Sequence, residues 1–216
     1  MSEVGRPFPL VIAAPSGAGK TSLANALVER HDDVIFSISA TTRPRRARER
    51  AGKDYHFVSD QEFDRMIAAG EFLEWAVVHG RRYGTPRGGV QDALERGHIV
   101  VLDIDVQGAR QVRRAFTDAV LVFVLPPSAG ELVRRLTGRG SEPDEEVSNR
   151  LRVARQELPA AAEFDYVIVN DDFERAVQAL EAIVLAERHR VRRAECLAGT
   201  LEALDVELEG ILARRR

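Results

Sequence analysis

The residues best equipped for chemistry form one short run, Ala14-Pro15-Ser16-Gly17-Ala18-Gly19-Lys20-Thr21. Gly17 and Gly19 let the backbone curl so that successive N–H groups face one anion. Lys20 supplies a cation for outer phosphates, and the Thr21 hydroxyl suits Mg²⁺. The run follows an apolar stretch, Phe8-Pro9-Leu10-Val11-Ile12-Ala13, and precedes the helical pattern Ser22-Leu23-Ala24-Asn25-Ala26-Leu27-Val28. A strand, a glycine-rich loop and a helix start in that order describe a P-loop, with the positive end of the helix dipole added to the cradle. Ala14 stands where the usual pattern has its first glycine, and alanine is comfortable only at negative φ. A chance glycine-rich turn is the bland alternative, and Gly-Lys-Thr in this context argues against it.

A second group comprises Ser39, Arg43, Arg46, Tyr55, Glu74, Tyr83 and Thr85. Paired arginines with tyrosine hydroxyls make a charge-assisted clamp for a second phosphate. An acid on a strand flanked by hydroxyl residues can read a base edge. A carboxylate accepts from both N1–H and N2–H of guanine, whereas adenine presents an acceptor at N1 and is repelled. Taken singly, each has a plainer reading. Glu74 is then a surface acid, Tyr55 and Tyr83 are core aromatics, and the five arginines of residues 43–50 are a solvated charged loop or a nucleic-acid patch.

Elements must hold these groups in place. Val34 to Thr42 alternates and is β-branched, so it reads as one strand, and Tyr55-His56-Phe57-Val58 as a short one. Ser59 or Asp60 begins a helix whose Phe63, Met66 and Ile67 share a face. Phe72 to Val78 reads as a strand and Tyr83-Gly84-Thr85-Pro86 as a turn. Ile99 to Asp105 is a buried parallel strand that delivers Asp103 and Asp105 to its C-terminal edge, with cap or turn acids as the plainer reading. Residues 107–116 are helical, Ala119 to Leu125 is a buried strand stopped by Pro126-Pro127, and residues 128–159 are polar and helical. Tyr166 to Val169 is the last buried strand, and Asn170-Asp171-Asp172 caps the helix from Phe173. Such alternation predicts a doubly wound parallel α/β sheet with ligands at the carboxyl ends of its strands.

Composition sets bounds. The chain has 216 residues, 44% hydrophobic, enough for one substantial α/β core with small inserted subdomains. A net charge of −3 argues against nucleic-acid binding over the whole surface. Cys196 is the only cysteine, so no intrachain disulfide forms, and the five histidines lack zinc-ligand spacing. No apolar run reaches membrane-spanning length and no signal peptide is visible, so a cytoplasmic protein without a membrane partner is expected.

The motifs taken in order are similar to those of the guanylate kinase family, in its bacterial form. The resemblance runs from about Pro9 to about Arg188. It rests on residues 14–20, Ser-Ala-Thr-Thr-Arg-Pro-Arg-Arg at 39–46, Asp-Tyr-His-Phe-Val-Ser at 54–59 and Glu-Phe-Leu-Glu-Trp-Ala at 71–76. It continues through Tyr-Gly-Thr at 83–85, Leu-Asp-Ile-Asp-Val-Gln-Gly at 102–108, Arg-Arg-Leu-Thr-Gly-Arg-Gly at 134–140 and Val-Ile-Val-Asn-Asp-Asp at 167–172. Bacterial members often carry alanine at the first P-loop position, as at Ala14. Arg45 and Arg48 depart from the Pro and Gly that many relatives have.

The resemblance implies transfer of the γ-phosphate of ATP to GMP, giving ADP and GDP, with Mg²⁺ as cofactor. It implies a P-loop core at residues 8–38, 98–127 and 160–193, an inserted mixed α/β GMP-binding subdomain at 39–97 and a small helical lid at 128–159. In it Ser39, Glu74 and Thr85 hold guanine with Asp103 on the purine side. Arg43, Arg46, Tyr55 and Tyr83 hold the GMP phosphate. Residues 14–21 hold the ATP phosphates, and Asn170 meets adenine. Arg135, Arg139 and Arg150 close over the phosphates with Lys20, and Thr21 and Asp105 face Mg²⁺. ATP and GMP together carry roughly six negative charges, and the GMP phosphate, with a second pKa near 6, is mostly a dianion at neutral pH. Such a site needs cations and alignment more than a general base. A non-catalytic peptide-binding relative, or a P-loop kinase of another small phosphate ester, is the alternative.

Residues 194–216 lie beyond the resemblance. Leu197, Leu201, Leu204, Leu208 and Ile211, at 4-3-4-3 spacing, predict an amphipathic helix. Packing on its own core is the favoured reading, with an oligomer seam as the alternative.

Overall fold

The computed structural model describes residues 5–47, 49–78, 80–137 and 144–215. In chain order its strands are β1 (Pro9–Ala13), β2 (Val34–Phe36), β3 (Ala40–Thr41), β4 (His56–Phe57), β5 (Phe72–Val78), β6 (Arg81–Pro86), β7 (Ile99–Asp103), β8 (Val120–Leu125) and β9 (Tyr166–Val169). Its helices are α1 (Lys20–Arg30), α2 (Asp60–Ala68), α3 (Arg87–Glu95), α4 (Val106–Ala115), α5 (Ala129–Thr137), α6 (Asp144–Glu157), α7 (Phe173–Arg188) and α8 (Leu197–Ala213).

Among the described residues two sheets form. The first is wholly parallel, in the order β2-β7-β1-β8-β9. Side chains of β1 alternate between its faces. Leu10 and Ile12 join Leu23, Leu27, Val177 and Leu180 from α1 and α7, while Val11 joins Val90, Ala93, Ala109 and Val112 from α3 and α4. A strand buried on both faces needs a near-continuous apolar run, which is what β1, β7 and β8 supply. Their carboxyl ends therefore share one edge, where Ala14–Gly19 and Asp103–Asp105 emerge side by side.

The second sheet, β4-β3-β6-β5, lies wholly within the segment between β2 and β7. Two local readings are corrected here. The single strand expected over Val34 to Thr42 is divided between the sheets. Ser37 N still donates to Val101 O at 2.9 Å, but the Ser39 carbonyl already accepts from His56 N at 2.9 Å. A run of nine alternating residues is long enough to serve two sheets, and alternation does not tell one from the other. Tyr83 to Pro86 is strand, not turn. Gly84 pairs with both Ala40 and Trp75, and the ring of Phe72 packs over it.

Local cap chemistry follows the sequence. Ser59 accepts from Glu62 N at 3.1 Å, and Asp172 from Arg175 N at 2.9 Å. Phe63 is buried against Ala40 and Phe72, with Met66 and Ile67 packed around it. Helices α5 and α6 share a small cluster of Leu132, Leu136, Leu151 and Ala154.

The C-terminal helix departs from expectation. No residue of α8 is buried, and Leu201, Leu204, Leu208 and Ile211 are all exposed. Its stripe does not lie on the core, because the chain is anchored just before it. Arg193, 1% exposed, donates to Asp118 O at 2.6 Å and stacks over Phe8 at 4.1 Å. Beside it Glu187, also 1% exposed, accepts from the Tyr166 hydroxyl at 2.6 Å. No helix of the described residues is long and apolar enough to cross a membrane.

Candidate functional site

The loop after β1 is shaped for an anion. Gly17 and Gly19 have φ of 88° and 96°, in the left-handed region that side chains avoid. Gly19 caps α1 with no side-chain hydrogen bond, and the first turn of α1 carries no acid. Its N-terminal N–H groups and dipole are thus left for a ligand. Ala14, at the position of the missing glycine, is buried in the core cluster. Lys20 Nζ donates to Ile104 O at 3.2 Å and is ion-paired with Asp103, and the Thr21 hydroxyl donates to Asp103 Oδ2 at 2.6 Å.

Helices α5 and α6 close over this loop. Leu132 and Leu136 pack directly on Gly17. Arg135 donates to Ala18 O at 3.3 Å and to Asn170 O at 3.0 Å, and Glu131 holds it at 2.6 Å. The fork of Glu131 with Arg134 and Arg135 holds that carboxyl well below its usual range, at about 2. Arg150 donates to Ser16 Oγ at 2.8 Å. A cavity of about 510 Å³ lies between, lined by Ser16, Gly17, Lys20, Thr21, Arg150 and Glu157 among others.

A second cavity of about 220 Å³ opens towards the smaller sheet, lined by Ser39, Tyr55, Glu74, Tyr83, Asp103 and Asp105 together with Lys20. Strand register places Glu74 directly opposite Thr85, whose hydroxyl donates to Glu74 Oε1 at 2.6 Å. A register shift between Phe72 and Glu74 breaks the usual alternation, so Phe72, Leu73 and Glu74 are all buried. Glu74 is only 5% exposed, and burial pushes its carboxyl group up to about 7 against the opposing hydrogen bond from Thr85. Tyr55 and Tyr83 meet edge to face at 6.1 Å, and Arg43 lies over the Tyr55 ring at 5.4 Å. Lys20 and Asp105 line both cavities, so the two spaces meet at the end of β7 and the start of α1.

A sequence profile of guanylate kinase matches residues 6–187. The guanylate kinase of Alkalilimnicola ehrlichii is 51% identical over 195 residues, covering 90% of this chain and 96% of that protein. That of Thermotoga maritima is 45% identical, covering 93% and 95%. The crystal structure of guanylate kinase from Anaplasma phagocytophilum superposes with a TM-score of 0.76 at 35% identity, covering 94% of this chain and 97% of that one. The chain belongs to the guanylate kinase family. It is an enzyme, a nucleoside monophosphate kinase.

Within this guanylate kinase framework the candidate residues fall unevenly. Lys20, Thr21, Ser39, Tyr55, Glu74, Tyr83, Thr85, Asp103 and Asp105 converge on the joined cavities. Asp103, rather than Asp105, meets Thr21, because Asp105 caps α4 by accepting from Gly108 N at 2.7 Å. Asn170 faces the glycine-rich loop, its amide donating to Ala18 O at 2.8 Å, and so buttresses that loop. Arg46 has an exposed side chain, and its backbone N–H donates to Glu49 at 2.8 Å. Arg139 lies outside the described residues.

Sequence reasoning passed over Glu49 and Gln111. Glu49 grips Arg43 with both oxygens, at 2.7 and 3.1 Å, and these bonds with the Arg46 N–H hold its carboxyl below the usual range. A lone acid inside an arginine run is the signal that could have marked it. Gln111 bonds the backbone of Trp75 on both sides, and nothing in its local sequence announces that.

Proposed function

We propose that this chain transfers the γ-phosphate of ATP to GMP, giving ADP and GDP, in line across the junction of the two cavities. The observation that carries this reading is that Lys20 and Asp105 line both spaces. One space is floored by an anion-shaped loop and the other ends in a buried carboxylate.

On the donor side, backbone N–H groups of residues 14–19 and the start of α1 take the ATP phosphates, Lys20 neutralises the migrating charge, and Asn170 lies on the adenine side. Arg135 and Arg150, with Arg139, cover the phosphates and exclude water. On the acceptor side, Glu74 takes both N–H donors of the guanine edge, with Ser39, Thr85 and Asp103 around it. Arg43, Arg46, Tyr55 and Tyr83 hold the GMP phosphate. Arg43 must then exchange part of its grip on Glu49 for the phosphate. The acceptor is already mostly ionised at neutral pH, its second pKa being near 6, so no residue is needed as a base. The protein aligns two anions and neutralises them. The hard oxygen donors Thr21, Asp103 and Asp105 fit Mg²⁺, which would supply charge neutralisation at the phosphates. Residues 39–97 form the GMP-binding subdomain and 128–159 the lid.

The intact loop with Lys20 and Thr21 favours catalysis over a non-catalytic peptide-binding role. ADP formation measured with a panel of nucleoside monophosphates tests the reading. GMP should support turnover while AMP, CMP and UMP support little. Turnover with another phosphate ester, and none with GMP, would overturn it.

A further inference from the structure

We propose that Gly108 and Gln111, neither of which reaches the cavity, are positioning residues that set the guanine-reading carboxylate of Glu74 from the outside. The proposal rests on Glu74 reading guanine, as above.

Three observations carry it. First, Gly108 is buried on the first turn of α4, and a Cβ built there would come 2.6 Å from Glu74 Oε2 and 3.2 Å from its Cδ. The carboxylate therefore rests against bare helix backbone, where no other residue type leaves room. Second, Gln111 sits one turn further along the same face of α4 and bonds the backbone of Trp75, the residue after Glu74. Its Nε2 donates to Trp75 O at 3.1 Å, and its Oε1 accepts from Trp75 N at 3.3 Å. β5 is an edge strand, so these backbone groups have no strand partner on that side, and Gln111 takes the place of one. Third, the other oxygen of Glu74 is fixed from the opposite side by the Thr85 hydroxyl at 2.6 Å.

The consequence is geometric. Thr85 ties Glu74 to the smaller sheet, while Gly108 and Gln111 tie it to α4. That helix is capped by Asp105, at the junction of the two cavities. The base-reading group is thereby held in register with the phosphate-transfer end of the core. Guanine offers two donors to the two oxygens, N1–H and N2–H, whereas hypoxanthine offers only N1–H. A misplaced Oε2 loses the second contact, so the selectivity at stake is GMP over IMP.

The test compares kcat/KM for GMP and IMP in the wild type, Gly108→Ala, Gln111→Leu and Glu74→Gln, with the KM for ATP measured alongside. An unmade hydrogen bond to a charged acceptor predicts that Gly108→Ala and Gln111→Leu each lower the GMP-to-IMP ratio by about tenfold or more while the KM for ATP holds. Alanine is a better helix former than glycine, so Gly108→Ala has no helical reason to unfold. Should it fail to fold, Gln111→Leu carries the test. In the Glu74→Gln background Gly108→Ala should add no further loss of the ratio. A fall in kcat equal for both nucleotides, with the ratio intact, is what a merely structural role would give and overturns the proposal. If Glu74→Gln collapses the ratio while neither α4 variant moves it, only the positioning role fails. If Glu74→Gln also leaves it unchanged, the guanine-reading role of Glu74 fails, and the proposal with it.

Discussion

At the scale of single residues, Glu74 shows how burial sets chemistry. Its carboxyl group titrates near 7 rather than 4.5, chiefly because burial disfavours the charge. The folded, empty protein thus holds this proton more tightly than the unfolded chain does. That stabilisation is complete below about 4.5 and is lost as pH rises through about 7. At about 1.4 kcal/mol per pKa unit, an ionised Glu74 costs the empty site on the order of 3 kcal/mol. Two guanine donors favour the carboxylate, so GMP should bind with release of a proton. We expect the KM for GMP to fall about twofold as pH rises from 7 to 8. The second ionisation of GMP, near 6, is largely complete over that range. A Glu74→Gln variant should show a flat profile, and an unchanged slope in that variant would contradict the assignment. The types of Lys20, Glu74 and Thr85 were legible because each follows from what a phosphate or a base edge requires. Gln111 was not legible, since its partner, the backbone of Trp75, is supplied only by tertiary structure, whereas Glu49 carried a local signal as the lone acid inside an arginine run.

At the scale of elements, the glycine-rich loop after β1 depends on backbone conformation more than on side chains. Gly19 has φ of 96°, and a Cβ there would run into the Asn170 amide that holds Ala18. A left-handed L-residue costs about 1–2 kcal/mol. Gly19→Ala should therefore lower the unfolding free energy in urea by at least about 1 kcal/mol and raise the KM for ATP far more than that for GMP. Unaltered ATP kinetics would mean that the loop does not hold the donor. β1, β7 and β8 were readable because burial on both faces demands continuous apolar runs, whereas Tyr166 to Val169, read as buried, is the edge strand β9 with Val167 and Val169 exposed. The second sheet was harder. Strand β4 was read within Tyr55 to Val58, but β3, with two residues, is too short to be told from β2 by periodicity, and Tyr83-Gly84-Thr85-Pro86 has turn composition although Gly84 is paired in the sheet with Phe72 packed on it.

At the scale of the whole molecule, the chain divides energetically at Arg193. Most of the described elements before it contribute buried residues to the packed clusters, while no residue of α8 is buried. Deleting residues 197–216 should shift the unfolding midpoint by no more than about 2 °C, as expected for changes at an exposed surface. A much larger drop, in a chain that sediments as a monomer, would mean that α8 folds back on the core. The 4-3-4-3 stripe was visible in sequence, but a stripe does not say what covers it. The central claim concerns the junction where the two cavities share Lys20, and ³¹P NMR of the purified protein with Mg²⁺, ATP and GMP tests it most directly. The account predicts one GDP for each ADP, with no inorganic phosphate accumulating and the signals lost in Lys20→Met. Inorganic phosphate in place of GDP, or GDP formed at an undiminished rate by Lys20→Met, would contradict it.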